Sequence, residues 1–296
     1  MRVLVTGGTG FVGRQVVAEL LRQGHEVRCL VRPGAEDKLP SRELLEIAPG
    51  DVTQPDTLPP ALEGCHAVVH LVGIIREFPR RGITLQKLHL EATANVVAAA
   101  RAAEVQRYLH MSALEARPAP VAEYHRTKQQ AEELVMASGL TYTIFRPSII
   151  YGPEDAFTNM FRAQIDKLRI VPVIGHGRYL LQPVPVWQVA QGFALALNNH
   201  LSANRCYDVG GPDPISFNDL IDTLAAVLGK KVVKVHLPVW PLRLLAGLLQ
   251  GFAWFPVTPD QITMLLAGNT CDPSPFFQDF SLRPISLSQG LSQYLI

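Results

Sequence analysis

The chain has 296 residues, 48% of them hydrophobic and 18% charged, with a formal net charge of +1. That length allows one large domain or a domain with a smaller companion, and the composition excludes the low-hydrophobicity, high-charge regime of disordered chains. The balanced charge gives no reason to expect nucleic acid as a partner.

Predicted elements alternate from the first residues. "RVLVT" reads as a strand at once after Met1, so a cleavable signal peptide has nowhere to fit. "FVGRQVVAELLRQG" places Val12, Val16, Val17, Leu20 and Leu21 on one helical stripe closed by Gly24. Strands "EVRCLV" and one within "LLEIAPGDV" follow, then a short helical turn in "PDTLPPALEG" and the strand "HAVVHLV". A long helix, "TLQKLHLEATANVVAAARAAE", precedes the strand "RYLHMS", the helix "EYHRTKQQAEELVMASG" and the strand "TYTIFRP". Strands alternating with helices require a parallel sheet covered on both faces, so the fold class is α/β, a Rossmann-type doubly wound sheet. After Pro147 prolines and glycines loosen the rhythm around helices such as "WQVAQGFALALNNH" and "FNDLIDTLAAVLG". Residues 1–150 are therefore expected to form a dinucleotide-binding domain. Residues 151–296 are expected to form a smaller α+β lobe, for substrate or partner, interleaved with it.

The turn between the first strand and first helix carries Gly7, Gly10 and Gly13 in "TGGTGFVG". Glycines there permit a tight turn and close approach of backbone to a pyrophosphate, and the helix N-terminus supplies amide donors. Thr9, Gly10, Phe11, Val12 and Gly13 are the expected contacts. The second strand ends in Val31 and Arg32, where an NAD site usually has an acid. An arginine there suits a 2′-phosphate, so NADP(H) is favoured, with NAD(H) as the alternative. Asp51 and Val52 follow the third strand, where an acid reaches an adenine amino group, and Leu71, Val72 and Gly73 end the fourth and line the groove.

"HMSALEARPAPVAEYHRTK" holds Ser112, Tyr124 and Lys128. Four residues apart, Tyr124 and Lys128 share one helix face, and an ammonium beside a phenol favours the phenolate. These residues form either a proton-transfer apparatus or a cofactor anchor beside a half-exposed aromatic.

Together "TGGTGFVG", "GDV", "YHRTK" and "FRPSIIYGP" resemble the short-chain dehydrogenase/reductase superfamily in its extended or atypical branch. The stretches "HLVGIIRE", "YLHMSAL", "YHRTKQQAEE" and "QPVPVWQVAQ" are similar to the NAD(P)H-binding accessory subunit family of respiratory complex I and its bacterial homologues. The resemblance implies Tyr124 as acid/base, Lys128 as its pKa partner and ribose anchor, and Ser112 as donor to the substrate oxygen. On the superfamily pattern, however, Ala113 takes the place that faces substrate unless the strand end shifts by one residue. It further implies that Pro147 and Ile150 run past the nicotinamide. The cofactor is then either held structurally or used for hydride transfer to a carbonyl or quinone-like substrate; a nucleotide-sugar epimerase or dehydratase is the remaining reading. In the last case Arg178 and Gln182 would hold a second diphosphate.

Cys29, Cys65, Cys206 and Cys271 lie far apart without a C-x-x-C pair, so no zinc spacing is read and a reducing, cytoplasmic setting is expected. His66 and His70 flank a strand and read as core residues, not metal ligands. "VWPLRLLAGLLQGFAWFPV" (239–257) is too short to span a bilayer yet apolar nearly all round, with Pro256 ending it. It either packs on the main body or docks on a membrane surface or respiratory complex, which would place the protein at the inner face of a membrane.

Overall fold

The computed structural model describes residues 1–39, 41–116, 122–252, 255 and 257–295. The first half contributes β1 (Arg2–Thr6), α1 (Phe11–Arg22), β2 (Glu26–Val31), β3 (Leu45–Pro49), α2 (Leu58–Leu62) and β4 (Ala67–His70). A π-helical turn, Gln86–Glu91, leads into α3 (Ala92–Ala102), followed by β5 (Arg107–Met111), α4 (Glu123–Met136) and β6 (Tyr142–Pro147). The second half begins with β7 (Ile150–Tyr151), α5 (Ala156–Lys167), β8 (Ile170–Ile174), β9 (Leu180–Leu181), β10 (Val184–Pro185) and α6 (Val186–Ala196). It continues through β11 (Arg205–Val209), β12 (Ile215–Ser216), α7 (Phe217–Val227), β13 (Val233–Leu237), α8 (Val239–Leu249), α9 (Pro259–Ala267), α10 (Ser274–Asp279) and α11 (Leu287–Leu295).

Seven strands form one parallel sheet in the order β11-β6-β5-β4-β1-β2-β3. Side chains alternate across it. Val3 and Val5 pack with Val12, Val16 and Leu20 of α1 and Val189 and Phe193 of α6 on one face. On the other face Leu4 and Val68 pack with Leu58 and Leu62 of α2, Val96 and Val97 of α3, and Val135 of α4. The period of two in the strands thus supplies both layers. The chain reverses its direction of travel across the sheet between β1 and β4, the place where such folds bind ligands beyond the strand carboxyl ends.

β11, from the second half, joins the edge of this sheet through β6. A separate cluster lies off it: Phe161 and Ile165 of α5 and Leu220, Ile221 and Leu224 of α7 enclose Val171 and Val173 of β8. β8 pairs in parallel with β13.

Two expectations change in detail. The long helix before β5 opens as the π-helical turn, a form frequent at functional sites. The helix of 239–257 stops at Leu249; Trp254 and Pro256, expected to complete it, lie outside the described residues. α8 packs by one narrow face through the fully buried Ala246, while Trp240 is 74%, Leu244 60% and Leu248 71% exposed. No helix among the described residues is long and apolar enough to cross a membrane.

Candidate functional site

At the end of β1 the chain turns at Gly7, whose φ of +78° lies in the left-handed region that favours glycine. A Cβ on Gly13 would meet the Gly7 carbonyl oxygen at 2.1 Å, so the first turn of α1 can pack on the β1 end only with glycine there. The Gly10 amide closes the turn on the Gly7 oxygen at 3.0 Å. Gly10 enters α1 in an extended conformation, no side chain caps the helix, and no acid stands in its first turn. Thr9, Gly10, Phe11, Val12 and Gly13 thus form an amide-lined concavity with positive helix-dipole character. Gly7 also lies against the Leu71–Val72 peptide, its Cβ position 3.1 Å from the Val72 nitrogen.

At one end of this turn Arg32 is exposed just after β2. Asp51 accepts from the Thr53 amide at 2.8 Å and its hydroxyl at 2.9 Å, while the Val52 carbonyl accepts from the Asn95 amide at 2.9 Å. Asn95, which pins Val52 from α3, is absent from the sequence expectations.

At the other end Tyr124 and Lys128 project from one face of α4. Lys128 Nζ donates to the Met111 carbonyl at 3.0 Å, and a Cβ on Gly73 would lie 3.0 Å from Nζ and 3.4 Å from His89 Nε2. Leu71–Gly73, Met111, Tyr124 and Lys128 therefore converge on one crevice. Burial brings Lys128 down to about 8, against a smaller opposing pull from Glu132. Burial also pushes the Tyr124 phenol up to about 12. This differs from the expected shift towards neutrality: desolvation of the phenolate sets the direction, and the Lys128 ammonium donates to the Met111 carbonyl.

Ser112 extends β5, its amide donating to the Phe145 carbonyl at 2.7 Å. Its hydroxyl is buried and has no hydrogen-bond partner among the described residues; Ala113 beside it is buried too. Pro147 accepts from the Leu114 amide at 3.0 Å, and Ile150 pairs with Val184. Gln182 is committed elsewhere: buried, it donates to the Gly211 carbonyl and accepts from the Cys271 amide, both at 2.8 Å. Its amide therefore joins two loops and is not presented to a diphosphate. Arg178 is exposed. A cavity of about 550 Å³, bordered by Gln182, Pro212, Cys271 and Phe277, includes none of the crevice residues.

Behind the crevice lie His70, which the sequence already placed in the core, and His89 and His110, which sequence reasoning missed. His70 contacts Thr6 Oγ1 at 2.6 Å and Thr93 Oγ1 at 3.2 Å. The Thr93 hydroxyl donates to the His89 carbonyl, so it accepts from His70 Nε2; in the neutral ring that burial favours, Nδ1 then accepts from the Thr6 hydroxyl. His110 stacks on His70 with centroids 5.5 Å apart. Burial first, and then the Lys128 charge, takes His70 down to about 3 and His89 to about 2. The one available signal was parity: Tyr108, His110 and Ser112 alternate with the apolar Leu109 along β5. Among the described residues no group of three His, Cys, Asp or Glu side chains could hold a metal ion.

Comparison with known proteins agrees with this geometry. A family profile described as NAD(P)H-binding matches residues 7–167, and one described as the 3-beta hydroxysteroid dehydrogenase/isomerase family matches 113–239. The mitochondrial NADH dehydrogenase [ubiquinone] 1 alpha subcomplex subunit 9 of Arabidopsis thaliana is 28% identical, over 99% of this chain and 76% of its own. A 4-hydroxy-2-methyl-3-oxo-4-farnesyl-3,4-dihydroquinoline-1-oxide ketoreductase of Stigmatella aurantiaca is also 28% identical, over 88% of this chain and 82% of its own. Among solved structures, the UDP-glucuronic acid 4-epimerase of Bacillus cereus superposes with a TM-score of 0.80 at 20% identity, covering 100% of this chain and 99% of that one. That last likeness concerns the fold alone.

Proposed function

Because the chain belongs to the NAD(P)H-binding family, we propose that it keeps a dinucleotide, NADP(H) in preference to NAD(H), as a resident cofactor of a membrane-associated assembly. The pyrophosphate would lie on the Gly7–Gly13 turn, a 2′-phosphate beside Arg32, the adenine near Asp51 and Val52, and the nicotinamide ribose beside Tyr124 and Lys128. Pro147 and Ile150 would flank the ring. The turn fits such a group: its amides lack side-chain acceptors, and the glycines leave room that a Cβ would fill.

The burial of the Ser112 hydroxyl carries the preference for holding the cofactor over turning it over. A substrate-oxygen clamp has to face an open cavity, and loss of one such donor commonly costs about 10²–10³ in rate. When bound, a reduced nicotinamide supplies a hydride donor. Lys128 would hold the ribose hydroxyls with the protons not given to Met111, and Tyr124 would stay a neutral phenol, a hydrogen-bond donor.

The exposed apolar residues of α8 support docking of the protein, from the cytoplasmic side, on a membrane or membrane-embedded partner. Similarity to a respiratory-complex subunit agrees with this. One observation favours a second reading: Tyr124 and Lys128 do share a helix face, as a reductase of a carbonyl or quinone-like substrate requires.

The test is to identify the nucleotide that co-purifies and to offer its reduced form to a panel of ketones, quinones and sugar nucleotides. NADPH should co-purify, raise the melting temperature through native-state binding, and remain unoxidised. Repeated turnover of any panel member would replace the resident-cofactor reading with the reductase one.

A further inference from the structure

We infer that His89 is a positioning residue for the nicotinamide half of the cofactor, locking the Gly73–Ile74 loop to the Tyr124 face of α4. The inference rests on the dinucleotide reading above. His89 leaves the π-helical turn Gln86–Glu91 and is 1% exposed. Its Nδ1 lies 2.8 Å from Thr127 Oγ1. That hydroxyl donates to the Tyr124 carbonyl at 3.0 Å, so it accepts from the ring. With the proton on Nδ1, Nε2 accepts from the Ile74 amide at 3.1 Å, and the Ile74 carbonyl oxygen also lies 3.0 Å from this nitrogen. The ring edge also packs against the Tyr124 ring, centroids 5.3 Å apart.

One imidazole thus bridges three parts of the crevice: helix α4, the tyrosine ring and the loop that leaves β4. A side chain at Gly73 would crowd both partners, its Cβ lying 3.0 Å from Lys128 Nζ and 3.4 Å from His89 Nε2. The loop continues to Arg76, whose guanidinium donates to the carbonyls of Gln250, Phe252 and Phe255 at 2.6–2.7 Å. Gly73–Ile74 is therefore held from both sides, by His89 within the crevice and by Arg76 beyond α8. Among the described residues the hydrogen-bond and ring partners of His89 include Ile74, Thr93, Tyr124 and Thr127, and neither the Gly7–Gly13 turn nor Arg32. Loosening His89 should disturb one half of the dinucleotide and spare the other.

The experiment measures binding of NADPH and of 2′-phospho-ADP-ribose, which lacks the nicotinamide, to wild type, His89→Phe and Thr127→Val. Wild type should prefer the whole dinucleotide. In His89→Phe that preference should shrink about tenfold, the effect of one lost pair of hydrogen bonds, with the half-molecule bound as before. Thr127→Val should move the same way by less, because it keeps the Ile74 contact. If His89→Phe does not fold, His89→Asn, with a shorter reach from the π-helical turn to Ile74, replaces it with the same expectation. Equal weakening of both ligands, or of neither, overturns the positioning role. Failure of wild type to bind either ligand would instead remove the dinucleotide reading itself.

Discussion

The crevice behind Tyr124 and the outer face of α8 invert the usual distribution of residues in opposite senses. In the first, His70, His89, His110, His125 and Lys128 lie inside, each no more than 3% exposed. In the second, Trp240, Leu244 and Leu248 lie outside. Neither arrangement is what folding stability alone would select, since buried polar groups and exposed large apolar groups both forgo free energy. The crevice holds its imidazoles neutral and pairs both nitrogens of His70 and His89. Its unpartnered atoms among the described residues include His125 Nδ1 and, along β5 and its extension, the Tyr108 hydroxyl, both His110 nitrogens and the Ser112 hydroxyl. On α8 nothing among the described residues covers Trp240, Leu244 or Leu248. One region is explained by what it holds inside, the other by what it meets outside.

The largest expected effect strikes the crevice through pH. Burial holds His70, His89, His110 and His125 below their ordinary value of 6.5, His125 at about 4. Below 6.5 the unfolded chain binds protons that the folded protein refuses. Their contribution is therefore complete above 6.5 and is lost as pH falls towards the depressed values. The slope is about 1.4 kcal/mol per pH unit for each ring that stays unprotonated in the folded protein, so several such rings together remove a sizeable share of a domain's stability. Thermal melts should fall steeply between pH 6.5 and 4.5, and His110→Phe should flatten the slope. A melting temperature constant across that range would mean the rings are solvated. Substitutions on α8 should leave the slope untouched.

Next in size is Gly13→Ala. The added methyl meets the Gly7 carbonyl, and overpacking of this kind costs roughly 1–3 kcal/mol. Nucleotide should be lost on purification, with affinity weakened on the order of 100-fold by titration calorimetry, while membrane association through α8 persists in flotation assays. Wild-type nucleotide affinity in this variant would show that the turn is not the phosphate seat.

Leu244→Glu with Leu248→Glu tests the other region. Exposed substitutions usually change stability by less than about 0.5 kcal/mol, so the melting temperature should hold. Each leucine buried against an apolar partner contributes roughly 1.5–3 kcal/mol, so vesicle flotation should fall sharply. A large drop in melting temperature with unchanged flotation would assign α8 to the body of the protein.

The difference between the regions also explains what the sequence disclosed. The Gly7–Gly13 turn was legible because its spacing, strand before and helix after, are all local. The two faces of the sheet were legible in the alternation of Val3, Leu4 and Val5. Pairing of β8 with β13 was not, because it joins segments about sixty residues apart and each strand alone is a short, partly exposed run. His89 escaped notice because its role depends on partners from α4 and from the β4 loop. The apolar circumference of α8 was visible in its residues, but which side stayed uncovered depends on packing that no local pattern encodes.

The smallest expected effect sharpens the crevice at its far end. Arg32 is exposed at the end of β2, so its pairing with a 2′-phosphate would be partly screened by solvent and salt. Charge-assisted hydrogen bonds from a guanidinium are nonetheless among the stronger ones, about 1.5–3 kcal/mol when well formed. With exposure discounting that range, Arg32→Ala should weaken NADPH by roughly five- to tenfold and leave NADH unchanged. Because the proposed pose puts Arg32 and His89 at opposite ends of the dinucleotide, their effects on NADPH should add. The 2′-phospho-ADP-ribose complex should respond to Arg32 alone. Equal affinities for NADPH and NADH in wild type would remove Arg32 from the account and leave the phosphate turn as the sole determinant at that end.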